Sequence, residues 1–176
     1  MHFKFKQTNM DDIILIKTKR SEDHRGVFIK GFEKESFSFF LKEPFVEDYI
    51  SQSKRNVLRG LHYQIEPKAQ GKLITVLTGR ILDVVVDIRK DSKTFTRYSM
   101  NELSPTGWDS VWIPQGFAHG FLSLENNSTV LNRCTREFNA ELEKGIRWND
   151  PSVNIQWPIS DPILSDKDRR WNLLEM

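Results

Sequence analysis

Four basic side chains in the middle of the chain are suited to moving a proton next to a carbonyl group. Arg59 and His62 lie in VLRGLHYQ (57–64), Lys72 follows a glycine in AQGKL, and His119 lies between glycines in IPQGFAHGF. Histidine is a general base near neutral pH, and arginine or lysine can bind a diphosphate or stabilise an enolate. The residues predict acid–base chemistry, although a structural role for either histidine remains open.

Other chemistries are less well supported. PQGFAH looks like the second half of a cupin metal motif, but the first half normally has two histidines one residue apart and a later carboxylate, whereas this chain has HYQ. A first-row metal would lack ligands, so we expect no metal. Cys134 and the nearby serines have no recognisable base partner, and the chain has neither a Gly-x-Ser-x-Gly elbow nor a P-loop.

Asp83 lies in the strand-like run ILDVVVDI (81–88). Strand period places Asp83 and Asp87 on one face, together with Ile81 and Val85. Two interpretations stay open: the face is solvated, or it borders a polar cavity inside a barrel.

The elements that position these residues are predicted to be strands. Short runs rich in Val, Ile, Leu, Phe and Tyr alternate with Gly, Pro, Asn or Ser turns across 46–135, which indicates an all-β sandwich or barrel. The predicted strands are 27–32, 47–52, 56–64, 72–79, 80–88, 96–103, 109–114, 120–125 and 128–135. A helix is predicted at 33–43, with Glu33 and Glu35 in its first turn, and the tail 157–176 reads as a loop followed by a short helix.

Composition narrows the setting. The 176 residues (1–176) fit one domain, and 26 Lys and Arg against 24 Asp and Glu give no broad electrostatic reason to expect a nucleic-acid or membrane partner. The apolar runs are far shorter than the roughly 20 residues of a membrane helix. We expect a cytoplasmic protein, because the N-terminal stretch lacks an apolar signal-peptide core and the lone Cys134 cannot form an internal disulfide.

Several motifs in order resemble one family over residues 23–168. They are DHRGVF (23–28), VLRGLHYQ (57–64), AQGKLITVLTGRILDVVVDIRKDSKTF (69–95), VWIPQGFAHGF (111–121), GIRWNDPSVNIQWP (145–158) and LSDKD (164–168). Together they are similar to the dTDP-4-dehydrorhamnose 3,5-epimerases. The resemblance implies a cupin jelly-roll barrel with short flanking helices, a homodimer that needs no metal or other cofactor, and a nucleoside-diphospho-4-keto-6-deoxy sugar as substrate.

The resemblance also implies roles for individual residues. His62 would be the base that removes a proton next to the C4 ketone, Asp168 would orient it, and Lys72 would stabilise the enolate at the C4 oxygen. Asp83 and His119 would form a second pair in the cavity.

Arg59 and Arg25 would contact the diphosphate and the nucleotide. Strict alternation puts Arg59 and His62 on opposite faces of one strand, so we expect a twist or bulge at Gly60, or an Arg59 that reaches a site shared between subunits.

The chain departs from the family pattern at five positions. Asn132 replaces the tyrosine of the YK.T motif, Phe138 replaces a second tyrosine, and Glu47 and Tyr49 stand in EDY where QDN is usual. Lys30 stands where a glutamate is usual. By resemblance, Asn132 and Tyr49 would face the sugar, and Lys30 and Glu47 the nucleotide.

An asparagine amide is not a useful proton donor at neutral pH. These departures favour a C3-specific epimerase of a dTDP- or GDP-linked 4-keto-6-deoxy sugar, or of a 4-keto heptose, in polysaccharide or lipopolysaccharide biosynthesis. Tyr49 as a relocated acid, or protonation by solvent, are open alternatives. The alternative hypotheses are a full 3,5-epimerase, a 3,4-ketoisomerase, an inactive cupin that binds a nucleotide sugar, and a metal-dependent dioxygenase.

Overall fold

The computed structural model describes residues 1–175, which form two facing β-sheets and a separate hairpin. The strands are β1 (Phe3–Gln7), β2 (Ile14–Thr18), β3 (Arg20–Asp23), β4 (Gly26–Ile29), β5 (Glu47–Ser53), β6 (Leu58–Gln64), β7 (Lys72–Thr78), β8 (Ile81–Asp87), β9 (Tyr98–Leu103), β10 (Ser110–Ile113), β11 (Phe117–Ser123), β12 (Ser128–Cys134) and β13 (Glu143–Gly145). The helices are α1 (Lys34–Phe37) and α2 (Asp166–Arg169).

Both large sheets are antiparallel. One has six strands in the order β1-β2-β10-β7-β12-β5, and the other has five in the order β13-β6-β11-β8-β9. Strands β3 and β4 pair only with each other. Neighbours such as β7 and β12 are far apart in sequence, so the fold depends on long-range strand pairing rather than on hairpins alone.

The space between the large sheets holds an apolar core at one end. Its members come from inward-facing positions of both sheets, because alternate residues of a strand point to opposite faces. They include Val85 and Phe117 from the five-stranded sheet and Ile74, Val111 and Val130 from the six-stranded sheet. This packing holds the sheets together and leaves the other end of the space for polar side chains.

The outer faces are covered as well. On the five-stranded sheet, Val84 and Val86 pack with Ile146, Val153 and Ile155 of the C-terminal segment. On the six-stranded sheet, an aromatic cluster lies over Leu73; it consists of Phe3, Phe5, Phe32, Phe37, Phe40, Phe45 and Trp112. The C-terminal segment is therefore part of the fold, and it places α2 next to β6, where Asp168 contacts His62.

The predicted all-β architecture is confirmed, and the nine predicted strands correspond to β4 to β12 with shifted ends. The predictions omitted β1, β2, β3 and β13. The helix predicted at 33–43 is wrong beyond Phe37: α1 has four residues, because Phe39 and Phe40 turn to pack on Phe5 of β1. The short tail helix is confirmed as α2. No helix within residues 1–175 is long and apolar enough to cross a membrane.

Candidate active site

A polar cavity of about 450 Å³ lies between the two sheets, next to the apolar core. The six-stranded sheet lines it from β5, β7 and β12, and the five-stranded sheet from β6, β11 and β13. The predicted site residues that line it are Glu47, Tyr49, Arg59, His62, Lys72, His119, Asn132, Phe138 and Asp168. The structure therefore brings together side chains from seven separated segments of the chain.

A bulge in β6 explains how Arg59 and His62 share this cavity. Opposite β11, His62 pairs with His119 and Arg59 pairs with Phe121, so β6 uses three steps where β11 uses two. The extra residue shifts the alternation by one position and turns Arg59 to the same face as His62. The bulge predicted at Gly60 is confirmed.

Glycine is required on both sides of this bulge. Gly60 has φ +128°, and a Cβ there would lie 2.6 Å from the Cα of Gly120. A Cβ on Gly120 would in turn lie 2.6 Å from the carbonyl oxygen of Arg59. The two backbones approach so closely that no side chain fits between them. This contact fixes the position of the β6 backbone just before His62.

The partly buried His62 pairs with the buried carboxylate of Asp168. Nε2 of His62 lies 2.5 Å from Oδ1 of Asp168, and the backbone N–H of Asp168 donates to the Ser165 hydroxyl that caps α2. Burial opposes ionisation of the carboxyl, but hydrogen bonds, chiefly from His62, hold the pKa of Asp168 below its ordinary value. The carboxylate therefore stays charged and orients the imidazole, which suits His62 for general base catalysis.

A second pair lies deeper in the cavity. Nε2 of His119 is 2.6 Å from Oδ2 of Asp83, and Asp83 is fully buried. Its other oxygen, Oδ1, has no hydrogen-bond partner among residues 1–175. The solvated-face interpretation of Asp83 is therefore wrong; Asp83 lies behind the cavity wall and contacts it through His119, which lines the cavity.

Lys72 supplies a largely buried cation to the cavity. Its side chain is buried at the start of β7, and desolvation lowers the pKa of its ammonium group. Within residues 1–175 the ammonium group makes no hydrogen bond or ion pair, although such a buried charge ordinarily has a partner. Lys72 is therefore available to an oxygen of a bound molecule.

The remaining predicted residues define the edges of the cavity. Nε of Arg59 donates to the Ser53 hydroxyl at 3.0 Å and Nη2 donates to the Gln52 carbonyl oxygen at 3.2 Å, which leaves Nη1 free for an anion. Glu47 accepts a hydrogen bond of 2.6 Å from the backbone N–H of Phe138. Tyr49 and Asn132 are direct cross-strand partners on β5 and β12.

Arg25 and Lys30 do not reach this cavity. Arg25 lies on the β3–β4 hairpin with its side chain 79% exposed and paired with Asp23, and Lys30 pairs with Glu33. The contact of both residues with the nucleotide stays a prediction; the hairpin that carries Arg25 pairs with neither large sheet.

Several lining residues were missed from the sequence. They are Ser51, Tyr63, Gln64, Gln70, Phe121, Glu143, Ser165 and Lys167. The strand period of β5 could have found Ser51, which is two residues from Tyr49 and on the same face. No local pattern reveals Lys167 and Glu143, whose ion pair of 2.8 Å joins α2 to β13.

Metal ligation has little basis in this donor set. Among residues 1–175, no group of three or more His, Cys, Asp and Glu side chains is placed to hold a metal ion. Each cavity histidine is instead engaged with a single carboxylate.

A comparison with known families fits this arrangement. A family model described as dTDP-4-dehydrorhamnose 3,5-epimerase matches residues 7–176. The chain belongs to this family. A dTDP-4-dehydrorhamnose 3,5-epimerase from Methanothermobacter thermautotrophicus is 43% identical over 176 residues, covering 98% of this chain and 95% of the relative. As a family member the chain is an isomerase of the epimerase class, as predicted.

Solved structures give the same result for the fold. The dTDP-6-deoxy-D-glucose-3,5-epimerase of Legionella pneumophila, in complex with dTDP-4-keto-L-rhamnose, has a TM-score of 0.93 and 38% identity, covering 98% of this chain and 93% of that one. The 3'-monoepimerase ChmJ of Streptomyces bikiniensis, in complex with dTDP-quinovose, has a TM-score of 0.88 and 30% identity, covering 99% and 87%. The cupin jelly-roll barrel is confirmed.

Proposed function

We propose that this protein inverts C3 and C5 of a dTDP-linked 4-keto-6-deoxy sugar through an enolate at C4. The observation that carries the proposal is the His62–Asp168 pair, which faces Lys72 across a cavity between the two sheets. The names and bound sugars of the family members described above support a dTDP-linked substrate.

The proposed base is His62. A C4 ketone acidifies the hydrogens on both neighbouring carbons, so one general base can act at C3 and, after the sugar shifts, at C5. The ionised Asp168 holds the imidazole in one orientation and stabilises the imidazolium that forms. The reaction breaks and remakes C–H bonds without net oxidation, so the proposal includes no redox cofactor and no metal.

The proposed electrophile is Lys72. Negative charge develops on the C4 oxygen as the proton leaves, and a buried cation stabilises it far more strongly than one in water. The Lys72 side chain is largely buried, and its ammonium group lines the cavity without a hydrogen bond or ion pair among residues 1–175, so it is ready for this oxygen without first breaking an ion pair.

The proposed substrate contacts follow the remaining polar groups. Arg59 lies at the edge of the cavity with part of its guanidinium unpaired, which suits the diphosphate. The His119–Asp83 pair places a polar group at the inner wall for a sugar hydroxyl. Glu47, Asn132 and Phe138 line the side formed by the six-stranded sheet and the segment after it.

A C3-specific reaction is the second candidate. It follows from Asn132, and the 3'-monoepimerase among the structural neighbours is the observation that favours it. The names of these relatives mention dTDP-linked sugars and neither a GDP-linked sugar nor a heptose, so we do not propose either as the substrate.

We further propose that the working form is a homodimer in which the β3–β4 hairpin reaches a second copy. The hairpin pairs with neither large sheet and exposes Val27, Phe28 and Ile29. Apolar side chains on a projecting hairpin favour burial against a partner. This arrangement would carry Arg25 to the nucleotide in the partner's cavity. A single domain, a cytoplasmic location and a role in polysaccharide biosynthesis remain predictions.

The direct test is incubation with a dTDP-4-keto-6-deoxy sugar in D2O, with deuterium at C3 and C5 read by NMR. The proposal predicts deuterium at both carbons and inverted product. An absence of exchange at both carbons would contradict it.

A further inference from the structure

Inversion of a carbon through an enolate needs two groups on opposite sides of the sugar ring. The base removes the proton from one face, and a donor must return a proton to the other face. His62 belongs to the five-stranded sheet, so the donor is expected on the wall formed by the six-stranded sheet. This requirement follows from the proposed function and selects a small set of side chains.

Tyr49 is placed on that wall. It pairs across strands with Asn132, which in turn pairs with Ile74 of β7, a residue of the inward-facing core. Because paired residues of neighbouring strands point to the same side, Tyr49 and Asn132 both face the cavity. The Tyr49 hydroxyl makes no hydrogen bond within residues 1–175, and 43% of the residue remains exposed.

The other polar groups of this wall are poorer donors. The Asn132 amide does not give up a proton at neutral pH. The Ser51 hydroxyl is an alcohol, a weaker acid than a phenol, and it is fully buried next to Val130. The Glu47 carboxylate accepts a hydrogen bond from the backbone N–H of Phe138. Lys72 is also on this wall, but its charge is assigned to the C4 oxygen.

Tyr63 is excluded by its position. It lies on β6 next to His62, and its ring packs against the cluster on the outer face of the five-stranded sheet. A donor on the same strand as the base would return the proton to the face it left. Tyr49 is thus the phenol across the cavity from His62.

We infer that Tyr49 is the proton donor of this epimerase, acting from the wall opposite His62; the inference rests on the proposed function. In the first half-reaction the C–H bond next to the ketone breaks, its electron pair forms the C=C bond of the enolate, and the proton goes to His62. In the second, the enolate returns an electron pair to carbon, the O–H bond of Tyr49 breaks, and its proton forms the new C–H bond.

The proton balance closes through solvent. The Tyr49 phenolate takes a proton from water, which its partial exposure permits, and the imidazolium of His62 gives one up. Desolvation, together with nearby negative charge, raises the pKa of Tyr49 above its ordinary value, so the phenol is protonated at neutral pH. A phenol remains a far stronger acid than the carbon it protonates.

The test compares exchange with inversion in Tyr49→Phe. Without the donor, His62 still removes the proton and returns a deuteron to the same face, so deuterium enters the unreacted sugar without inversion. We expect inverted product to fall about 100-fold while exchange in D2O continues. Tyr98→Phe is the matched control, because it removes a phenol that lies outside the cavity, in the cluster on the outer face of the five-stranded sheet, and it should invert at the wild-type rate.

Each other outcome has a distinct meaning. If Tyr49→Phe inverts as fast as the wild type, or if Tyr98→Phe loses inversion to the same extent, the assignment of Tyr49 is overturned and the proposed function stands. If Tyr49→Phe loses exchange and inversion together, Tyr49 acts before the proton is removed and is not the donor. If the wild type shows neither exchange nor inversion, the proposed function itself fails.

Discussion

Nε2 of His62 lies 2.5 Å from Oδ1 of Asp168, although the two residues are 106 positions apart in the sequence. The contact joins strand β6 to helix α2 and is closed on the helix side by the Ser165 cap. The orientation of the base thus depends on how the C-terminal segment packs against the barrel.

This contact predicts that His62 and Asp168 act as one unit. His62→Asn should lower the exchange rate by about 100-fold or more, and Asp168→Asn should cost a large part of that, because the carboxylate orients the base. The double variant should be no slower than His62→Asn alone. The rates are measured by NMR in D2O, with circular dichroism to confirm the fold; losses that multiply in the double variant would show that the residues act independently.

Lys72→Met should separate activity from stability. Turnover should fall about 100-fold, because the C4 oxygen loses its cation. The thermal midpoint should stay the same or rise, since the variant removes a buried charge that has no partner among residues 1–175. A midpoint that falls together with activity would show that Lys72 is structural.

The same variant carries a pH signature. Burial lowers the pKa of Lys72 from its ordinary 10.5, so the penalty for burying its charge is fully present below the folded-state pKa. The penalty disappears once the lysine is neutral in both the folded and unfolded states. The stability gain of Lys72→Met over wild type should therefore be largest below the folded-state pKa of Lys72, shrink as the pH rises from that pKa toward 10.5, and vanish above 10.5. Urea titrations at several pH values measure the gain.

Gly60→Ala should disrupt the bulge. The new Cβ would lie 2.6 Å from Gly120 and 2.8 Å from the His119 carbonyl oxygen, so β6 and β11 must separate and His62 must move. Gly26→Ala is the matched control: its φ of +121° is similar to the +128° of Gly60, but no atom lies within 4 Å of the new Cβ.

The control should lose about 1 to 3 kcal/mol of stability from backbone strain alone. Gly60→Ala should lose at least about 2 kcal/mol more and most of its exchange activity. Urea denaturation measures both, and equal losses for the two variants would show that the close approach of β6 and β11 is unimportant.

Two substitutions in the β3–β4 hairpin should affect dimer formation and substrate binding separately. Phe28→Asp places a charge on the exposed apolar side of the hairpin and should shift the protein from dimer to monomer in sedimentation. Arg25→Ala should remain a dimer but show a higher KM for the dTDP-sugar, because Arg25 would lose its contact with the nucleotide. A wild type that sediments as a monomer would contradict the homodimer, and an unchanged KM would remove Arg25 from the site.

Much of the site could be predicted from the sequence because its residues lie in local patterns. The bulge at Gly60 follows from Arg59 and His62, which must share a face although three steps separate them. In β1, FKFKQ alternates phenylalanine and lysine with strand period, so this omitted strand was also predictable.

Other features depend on tertiary placement. The pairing of Tyr49 with Asn132 arises because β5 lies beside β12, a neighbour relation that no local pattern encodes. The early end of α1 depends on phenylalanines that pack on β1 instead of continuing the helix. Arg25 could be assigned from its motif, but its position on a hairpin outside both large sheets could not.

The central claim is that His62 starts the reaction by removing a proton next to a C4 ketone. The most direct measurement is the wild-type protein and His62→Asn, each in D2O with a dTDP-4-keto-6-deoxy sugar, with deuterium at C3 and C5 followed by NMR. The account predicts deuterium at both carbons in the wild type and at neither in a folded His62→Asn variant. A variant that exchanges as fast as the wild type would remove His62 from the mechanism, and a wild type without exchange would contradict the proposed function.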